Sequence, residues 1–563
     1  MDRVSRAVAL VLVAWLSAAC SGSQPADLII TGGMVWPGTS SGTASSGAIA
    51  IRGGKIVAVS DSAEVARYAG RGTEIINAGG GLVMPGFADG HTHFIDGGFQ
   101  LAALDLRDAA TPQEFIRRVG AYAKRLKPGE WITGGDWDHE LWPGAPLPRR
   151  SWIDSVTPDT PVFVSRLDGH SGLSNTAALR AAGVSRNTPA PAGGEILRDP
   201  RTGEPIGIFK DNAMQLILGA VPPASPERRD SALARALVHA ESLGVTATAH
   251  MWATWEDLAS YRRLRAAGRL TLRAYLYFPV TTWREVAETL ARSGPGDDWI
   301  KIAGVKAYVD GSAGSRTAYL FEPFADSAGY SGLLRISEAD LRALVGAVDS
   351  AGLQFAGHAI GDRANALLLQ IYDSVARAHG PRDRRFRVEH AQHLRPAEIP
   401  RFAEIRVVAS MQPAHLIDDG RWLERRIGPD RSRWTYAFRS LIDANAPLVF
   451  GSDWSVAPLN PLVGVTAALT RRTGDGRHPG GWVPEEKITL GEALRAYTAG
   501  NAWAVFAEHR WGMLVPRYDA DIVVLDRNLF AMRPESLTTA RVQYTIVGGK
   551  MVFRRQPAGT ASP

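Results

Sequence analysis

The sequence predicts an α/β protein in which a body of parallel βα units is bracketed by a small β-unit built from both ends of the chain. Three observations predict it. Near the N-terminus, DLIITGGMVWPG, GAIAIRGGKIVAVSD and TEIINAGGGLVMPGF alternate apolar runs with Gly-rich turns, the pattern of short antiparallel strands. The far end repeats it in DADIVVLDRNLF and VQYTIVGGKMVFRR, where Gly548-Gly549 reads as a two-residue hairpin turn. Between these ends, short apolar runs alternate with long amphipathic segments, which implies parallel strands joined by helices.

Bulk properties narrow the class. A chain of 563 residues, 45% hydrophobic and 21% charged, is globular and buries a large core. Its net charge of +6 is spread along the chain without a dense basic block, so no nucleic-acid footprint is expected. Residues 1–20, MDRVSRAVALVLVAWLSAAC, have the layout of a secretory signal: Arg3 and Arg6, an apolar run, then small residues. Cys20 is the sole cysteine and stands where a bacterial lipoprotein signal places its lipidated residue; Ser17, where such signals carry Leu, departs from that pattern. The expectation is an exported protein, periplasmic or membrane-anchored through Cys20, with residues 21–26 as a tether and no intramolecular disulfide.

The helices have readable starts. Thr111 caps TPQEFIRRVGAYAKRL, with Pro112 in the first turn and Glu114 completing a capping box. Ser337 caps a helix whose face is marked by Leu341, Leu344, Val345 and Val348, and Gly352 ends it. Strand runs then end in polar residues: His250, His358, His390 and Asp453, with Lys306 inside WIKIAGVKAYVDGS and His415 following RVVASMQPA. Parallel αβ barrels keep their chemistry at those C-terminal strand ends. From about residue 99 to 243 the strand rhythm is lost among Pro, Gly and Trp, and this stretch reads as an insertion over the barrel mouth.

PGFADGHTHF carries the first chemical signal. His91 and His93, two apart on a strand, point to one face with Cα atoms about 7 Å apart, so both imidazoles reach one ion. Alone, such a pair is as well explained by two hydrogen-bonded histidines. His358, His390 and Asp453 on later strand ends shift the balance towards a metal site.

The ordered set PGFADGHTH, VKAYVDGSAGSRTA, GHAIGD, RVEHAQH and FGSDWSVAPLNP resembles the metal-dependent amidohydrolase superfamily, most closely its YtcJ-like branch, which includes N-substituted formamide deformylases. The resemblance implies a distorted (β/α)8 TIM barrel with an insertion, over residues 85–509, and a small β-sandwich from residues 27–84 and 510–556. It implies one or two divalent ions, zinc by expectation, held by His91, His93 and Asp453 and by His358 and His390. Lys306 matches the position of a carboxylated lysine that bridges two metals; an ammonium would repel a dication, whereas a carbamate supplies anionic oxygens.

The expected reaction is hydrolysis of an N-acyl or N-formyl C–N bond by metal-bound hydroxide, with Asp453 as ligand and proton carrier. Ester, lactone or phosphoester hydrolysis is the alternative, and a non-catalytic binding lipoprotein a third reading. No dinucleotide fingerprint, a G-x-G-x-x-G opening a helix after a strand, is present. His170 and Arg316 are candidate substrate contacts, and Trp137 with Trp454 a candidate aromatic wall, each balanced by an ordinary structural role. A small-molecule substrate is expected, and a homodimer is one assembly the reading allows.

Overall fold

The computed structural model describes residues 24–40 and 42–556; the signal and lipidation readings, Cys20 included, lie outside them. Five strands open the chain: β1 (Leu28–Val35), β2 (Ser45–Arg52), β3 (Lys55–Ser60), β4 (Glu74–Asn77) and β5 (Leu82–Pro85). β6 (Phe87–Thr92) is the first barrel strand. Six strands of an inserted sheet follow: β7 (Leu104–Asp105), β8 (Ile132–Trp137), β9 (Val162–Arg166), β10 (Ser171–Ser174), β11 (Gly194–Arg198) and β12 (Pro205–Asp211). The barrel resumes with β13 (Val245–Met251), β14 (Arg273–Pro279), β15 (Ile300–Tyr308), β16 (Gln354–Ala359), β17 (Arg387–His390), β18 (Val408–Met411) and β19 (Leu448–Phe450). β20 (Ile522–Leu525), β21 (Val542–Val547) and β22 (Lys550–Arg554) end the described chain.

The two ends form one hydrogen-bonded sheet, ordered β22-β21-β20-β5-β1-β2-β3 with β4 on β1. The join is β20 antiparallel to β5, Val523 facing Met84. Residue alternation then sorts the side chains. Leu28, Ile30, Ile49, Ile51, Ile522 and Ile546 share one core, and the intervening Ile29, Ala48 and Ala50 pack with Val65 in another. Gly548 and Gly549 turn β21 into β22 at φ +55° and +76°, the left-handed pair that a tight hairpin requires.

β6 and β13–β19 form an eight-stranded parallel sheet in which each strand neighbours the next in sequence. A parallel bridge between Thr92 and Trp454 brings its two edges together, so the barrel is all but closed. Gly86 and Gly90, at the passage into β6, are required by space rather than by turning. A Cβ on Gly86 would strike the Thr246 side chain and one on Gly90 the Asn501 amide, and neither residue has a positive φ.

The insertion is shorter than the 99–243 read from sequence. Its sheet, ordered β11-β12-β10-β9-β8-β7, ends at Asp211. The helix Pro226–Ser242, capped by Ser225, belongs to the barrel: it packs on the helix Phe94–Gln100 so closely that Gly98 has no room for a Cβ beside Ala232. The inserted strands escaped notice because β7 has two residues and β10 reads SGLS, too short and too polar to show a period. Thr111 caps the helix Pro112–Ala123, but the Glu114 carboxylate pairs with Arg117 and Arg118 instead of returning to the cap.

Candidate metal centre

The closing seam of the barrel builds the centre. The backbone N–H of Asp453 donates to the His91 carbonyl at 2.7 Å, and that of His93 to the Trp454 carbonyl at 2.5 Å. This stitches the chain after β19 to the end of β6. Asp453 Oδ1 consequently lies 3.4 Å from His91 Nε2 and 3.3 Å from His93 Nε2. His93 stands just beyond β6, at the start of the helix Phe94–Gln100, and its ring centroid is 5.7 Å from that of His91. Lys306, fully buried on β15, places Nζ 3.3 Å from His91 Nε2.

Two of these residues occupy a strained backbone region. Asp453 has φ +58° and His390 φ +77°, conformations that cost non-glycine residues of the order of 1–3 kcal/mol and persist where surroundings over-determine them. At His390 the strain has a use. Successive strand residues point to opposite faces, yet Glu389 and His390 both reach His91: Glu389 Oε2 lies 2.7 Å from its Nδ1, and the His390 ring centroid is 5.0 Å from its ring.

Glu389 and Arg387 escaped the sequence reading, although their signal was present in RVEHAQH as a charged pair two apart on a strand. Arg387 donates through Nε to Glu389 Oε1 at 2.6 Å, and both side chains are fully buried. Burial would raise the Glu389 carboxyl, but Arg387 and His91 hold it well below the usual carboxylate range. The carboxylate in turn orients His91, so that Nε2 faces Asp453 and Lys306. Burial, then the Lys306 charge, lowers His91 to about 4, which leaves it a neutral imidazole with a lone pair to offer. Burial also brings the Lys306 ammonium down to about 8, against the pull of Glu389 and Asp453. Asp89, a further residue not singled out from sequence, accepts the backbone N–H groups of His91 and Ser452 at 3.1 and 2.9 Å and ties β6 to β19.

A second group of donors lies alongside. His390, His415 and Asp453 bring ligand atoms within 4.8 Å of one another, as do His91, His93 and Asp453. The family resemblance pairs His390 with His358 at a second ion and gives His415, a strand-end residue within reach of substrate, no ligand role. The structure stacks His358 edge-on against His390, centroids 4.4 Å apart, and places its Nε2 3.2 Å from the Gly311 carbonyl, which leaves Nδ1 without a partner. The buried atoms His358 Nδ1, His390 Nδ1, His415 Nε2 and Asp453 Oδ1 have no hydrogen bond among the described residues. Leaving so many buried polar atoms unmatched is costly, and a nitrogen and carboxylate donor set of this kind fits a divalent metal ion.

A cavity of about 50 Å³ opens beside His390, His415 and Asp453, and the insertion supplies its other wall through Arg166, Asp168 and His170. His170 Nδ1 lies 2.7 Å from Asp211 Oδ1, and its ring is 4.9 Å from that of His358. The other three candidate contacts do not line the cavity. Arg316 is clamped on Asp326, Nη2 to Oδ2 2.9 Å, in a loop. Trp137 is fully buried, donates from Nε1 to the Val164 carbonyl at 2.9 Å and stacks on Trp142. Trp454 packs edge-on against Phe94 over Gly97. Those two tryptophans are therefore core residues of the insertion and of the barrel flank.

Residues 74–553 match the family model described as "Amidohydrolase family". The chain is 39% identical over 542 residues to Protein LONG AFTER FAR-RED 3 of Arabidopsis thaliana, an alignment covering 94% of this chain and 92% of that protein. It is 30% identical over 502 residues to YtcJ of Bacillus subtilis (strain 168), which bears a provisional amidohydrolase name, covering 87% and 92%. It is 26% identical over 525 residues to an N-substituted formamide deformylase of Arthrobacter pascens, covering 90% and 95%. Among solved structures, an uncharacterized metal-dependent hydrolase from Pyrococcus horikoshii OT3 superposes with a TM-score of 0.71 at 28% identity, covering 90% of this chain and 99% of that one.

Proposed function

The chain belongs to the amidohydrolase family, and on that premise we propose that it is an exported hydrolase cleaving the C–N bond of an N-acyl or N-formyl amide at the His91–His93–Asp453 centre. The observation that carries the reading is the convergence of Asp453 Oδ1 on His91 Nε2 and His93 Nε2 at 3.4 and 3.3 Å, with Lys306 Nζ against the same imidazole. Zinc, as one ion or two, would supply an acidified water and polarise the substrate carbonyl there.

The chain's own residues do the rest. Asp453, whose carboxyl burial would raise but which His91, His93 and His390 hold well below the usual range, is an anion able to accept a proton and return it to the leaving nitrogen. Glu389, through His91, keeps the lone pair of Nε2 directed at the centre. Lys306, brought to about 8, has enough neutral amine near neutrality to form the carbamate that would join two ions. His358 Nδ1 and His390 Nδ1 are the open positions for the second. Export, with anchorage through Cys20, completes the reading; a C20S variant should leave the membrane fraction.

The test is elemental analysis of the purified protein together with a hydrolysis screen of formamides, N-acyl compounds, lactones and phosphoesters. Bound transition metal and preferential amide cleavage are expected. Metal-free active protein, or cleavage confined to esters or phosphoesters, would overturn the proposal.

A further inference from the structure

The cavity beside the centre has an unbalanced charge pattern. Asp168, Asp418 and Asp419 line it against a single guanidinium, Arg166. That guanidinium is spent on the protein: Nη1 lies 2.7 Å from Asp168, Nη2 3.3 Å from Asp138, and Nε donates to His139 Nδ1 at 3.4 Å. The neighbouring Arg421 is committed to Asp138 at 2.7 Å and to Asp418 at 3.3 Å. Recognition of a carboxylate or phosphate relies on a free guanidinium fork or ammonium, and neither of these two arginines has one to give.

Asp419 is in the opposite state. Its Oδ2 accepts from Gln392 Nε2 at 2.7 Å and from Tyr436 Oη at 2.6 Å. Among the described residues no donor reaches its Oδ1, although the residue lines the cavity. In the same cavity Asp453 Oδ1, on a residue 6% exposed, has no hydrogen bond among the described residues and lies 3.4 and 3.3 Å from His91 Nε2 and His93 Nε2. The cavity is thus lined by two such acceptors, Asp453 at the reacting centre and Asp419.

We propose that the substrate carries, on its non-reacting end, an N–H donor that binds Asp419 Oδ1, an ammonium or a carboxamide, and that amides ending in a carboxylate or phosphate are rejected. An N–H tail finds at Asp419 an acceptor that no donor of the described residues takes, whereas an anion finds no free guanidinium or ammonium: Arg166 is held by Asp168 and Arg421 by Asp418, and burial raises the Asp419 carboxyl to about 7, so it too offers no positive charge. The proposal rests on the amide hydrolysis proposed above, and it deepens that reading by naming the kind of amide.

The experiment uses the full metal-loaded protein and matched short formamides ending in ammonium, carboxamide or carboxylate, each with its formate-ester counterpart. Ammonium and carboxamide tails should exceed the carboxylate tail in kcat/KM by about tenfold or more, and Asp419→Asn should shrink that ratio chiefly through KM. Ester cleavage without amide cleavage would overturn the amide reading while the tail preference is still scored within the ester series. Calorimetric binding of the matched aldehydes, in which CH2 replaces the formamide N–H and the scissile C–N bond is absent, scores the same preference without turnover. A carboxylate tail that binds or reacts as well as the N–H tails, or an unchanged ratio in Asp419→Asn, would overturn the inference.

Discussion

His91 and Glu389, 298 residues apart in the chain, meet inside the barrel with Nδ1 and Oε2 at 2.7 Å. Neither side chain has any solvent exposure. Glu389 also carries the Arg387 guanidinium on its other oxygen. A buried line of arginine, carboxylate and imidazole therefore ends at the face His91 turns to Asp453 and Lys306.

Replacing Glu389 by Gln keeps an acceptor for His91 but leaves Arg387 as a buried unpaired charge. Breaking such a pair costs about 3–5 kcal/mol, and outer partners of metal-binding histidines contribute about 10–100-fold in metal affinity. We expect a lower unfolding midpoint and weaker metal retention during chelator titration. A second change, Arg387→Met in the same protein, should recover much of the stability but not the affinity.

Asp453→Asn removes the proton acceptor while preserving size. General acid–base contributions of this kind are worth about 10²–10⁴-fold, so kcat should fall in that range. Thermal unfolding and circular dichroism should stay near wild type, since the residue's backbone hydrogen bond to the His91 carbonyl does not involve the side chain. Retained activity would remove Asp453 from proton transfer.

His358→Ala and His415→Ala discriminate between two addresses for a second ion. His358 is 1% exposed and its Nδ1 has no partner among the described residues, so it is a ligand atom free for an ion. His415 lines the cavity in which we place the substrate. Metal per chain, read by elemental analysis, should drop in the His358 variant and hold in the His415 variant, where KM should rise instead. The reverse pattern would assign the ion to the His390–His415–Asp453 group.

Lys306 gives a pH dependence with a defined sign. Carbamate formation uses the neutral amine: its lone pair attacks the carbon of carbon dioxide, a C–N bond forms and a proton leaves. With the ammonium at about 8, the neutral fraction is largest above that pH and falls about tenfold per unit below it. Metal-stripped protein supplied with metal under a fixed pressure of carbon dioxide, so that the dissolved gas stays constant as pH changes, should recover activity faster as pH rises from 6 to 8 and then level off. Lys306→Ala should recover no activity at any pH, and a recovery rate that falls with rising pH would exclude this role.

Much of the fold was legible because its signals are local. The GG hairpin, the Ser337 cap and the apolar runs ending in His or Asp are set by neighbours a few residues away. The same locality hid the inserted sheet, whose strands take their hydrogen bonds from partners distant in sequence and carry no period of their own. Trp137 and Trp454 illustrate the other failure: an aromatic side chain reads alike in a substrate wall and in a core, and only packing against Val164 or Phe94 separates the two.

By itself, the sequence determined which residue types stand at the strand ends and in what order, from His91 and His93 through Lys306, His358 and His390 to Asp453. Only the tertiary structure decided what those residues face. Barrel closure at Thr92–Trp454 brings Asp453 to the histidine pair, and the positive φ of His390 turns it beside Glu389. The insertion brings Arg166, Asp168 and His170 into the same cavity as Asp418 and Asp419, which follow barrel strand β18. These relations join residues up to several hundred positions apart, and burial then shifts the protonation of His91 and Lys306, which no stretch of neighbouring letters encodes.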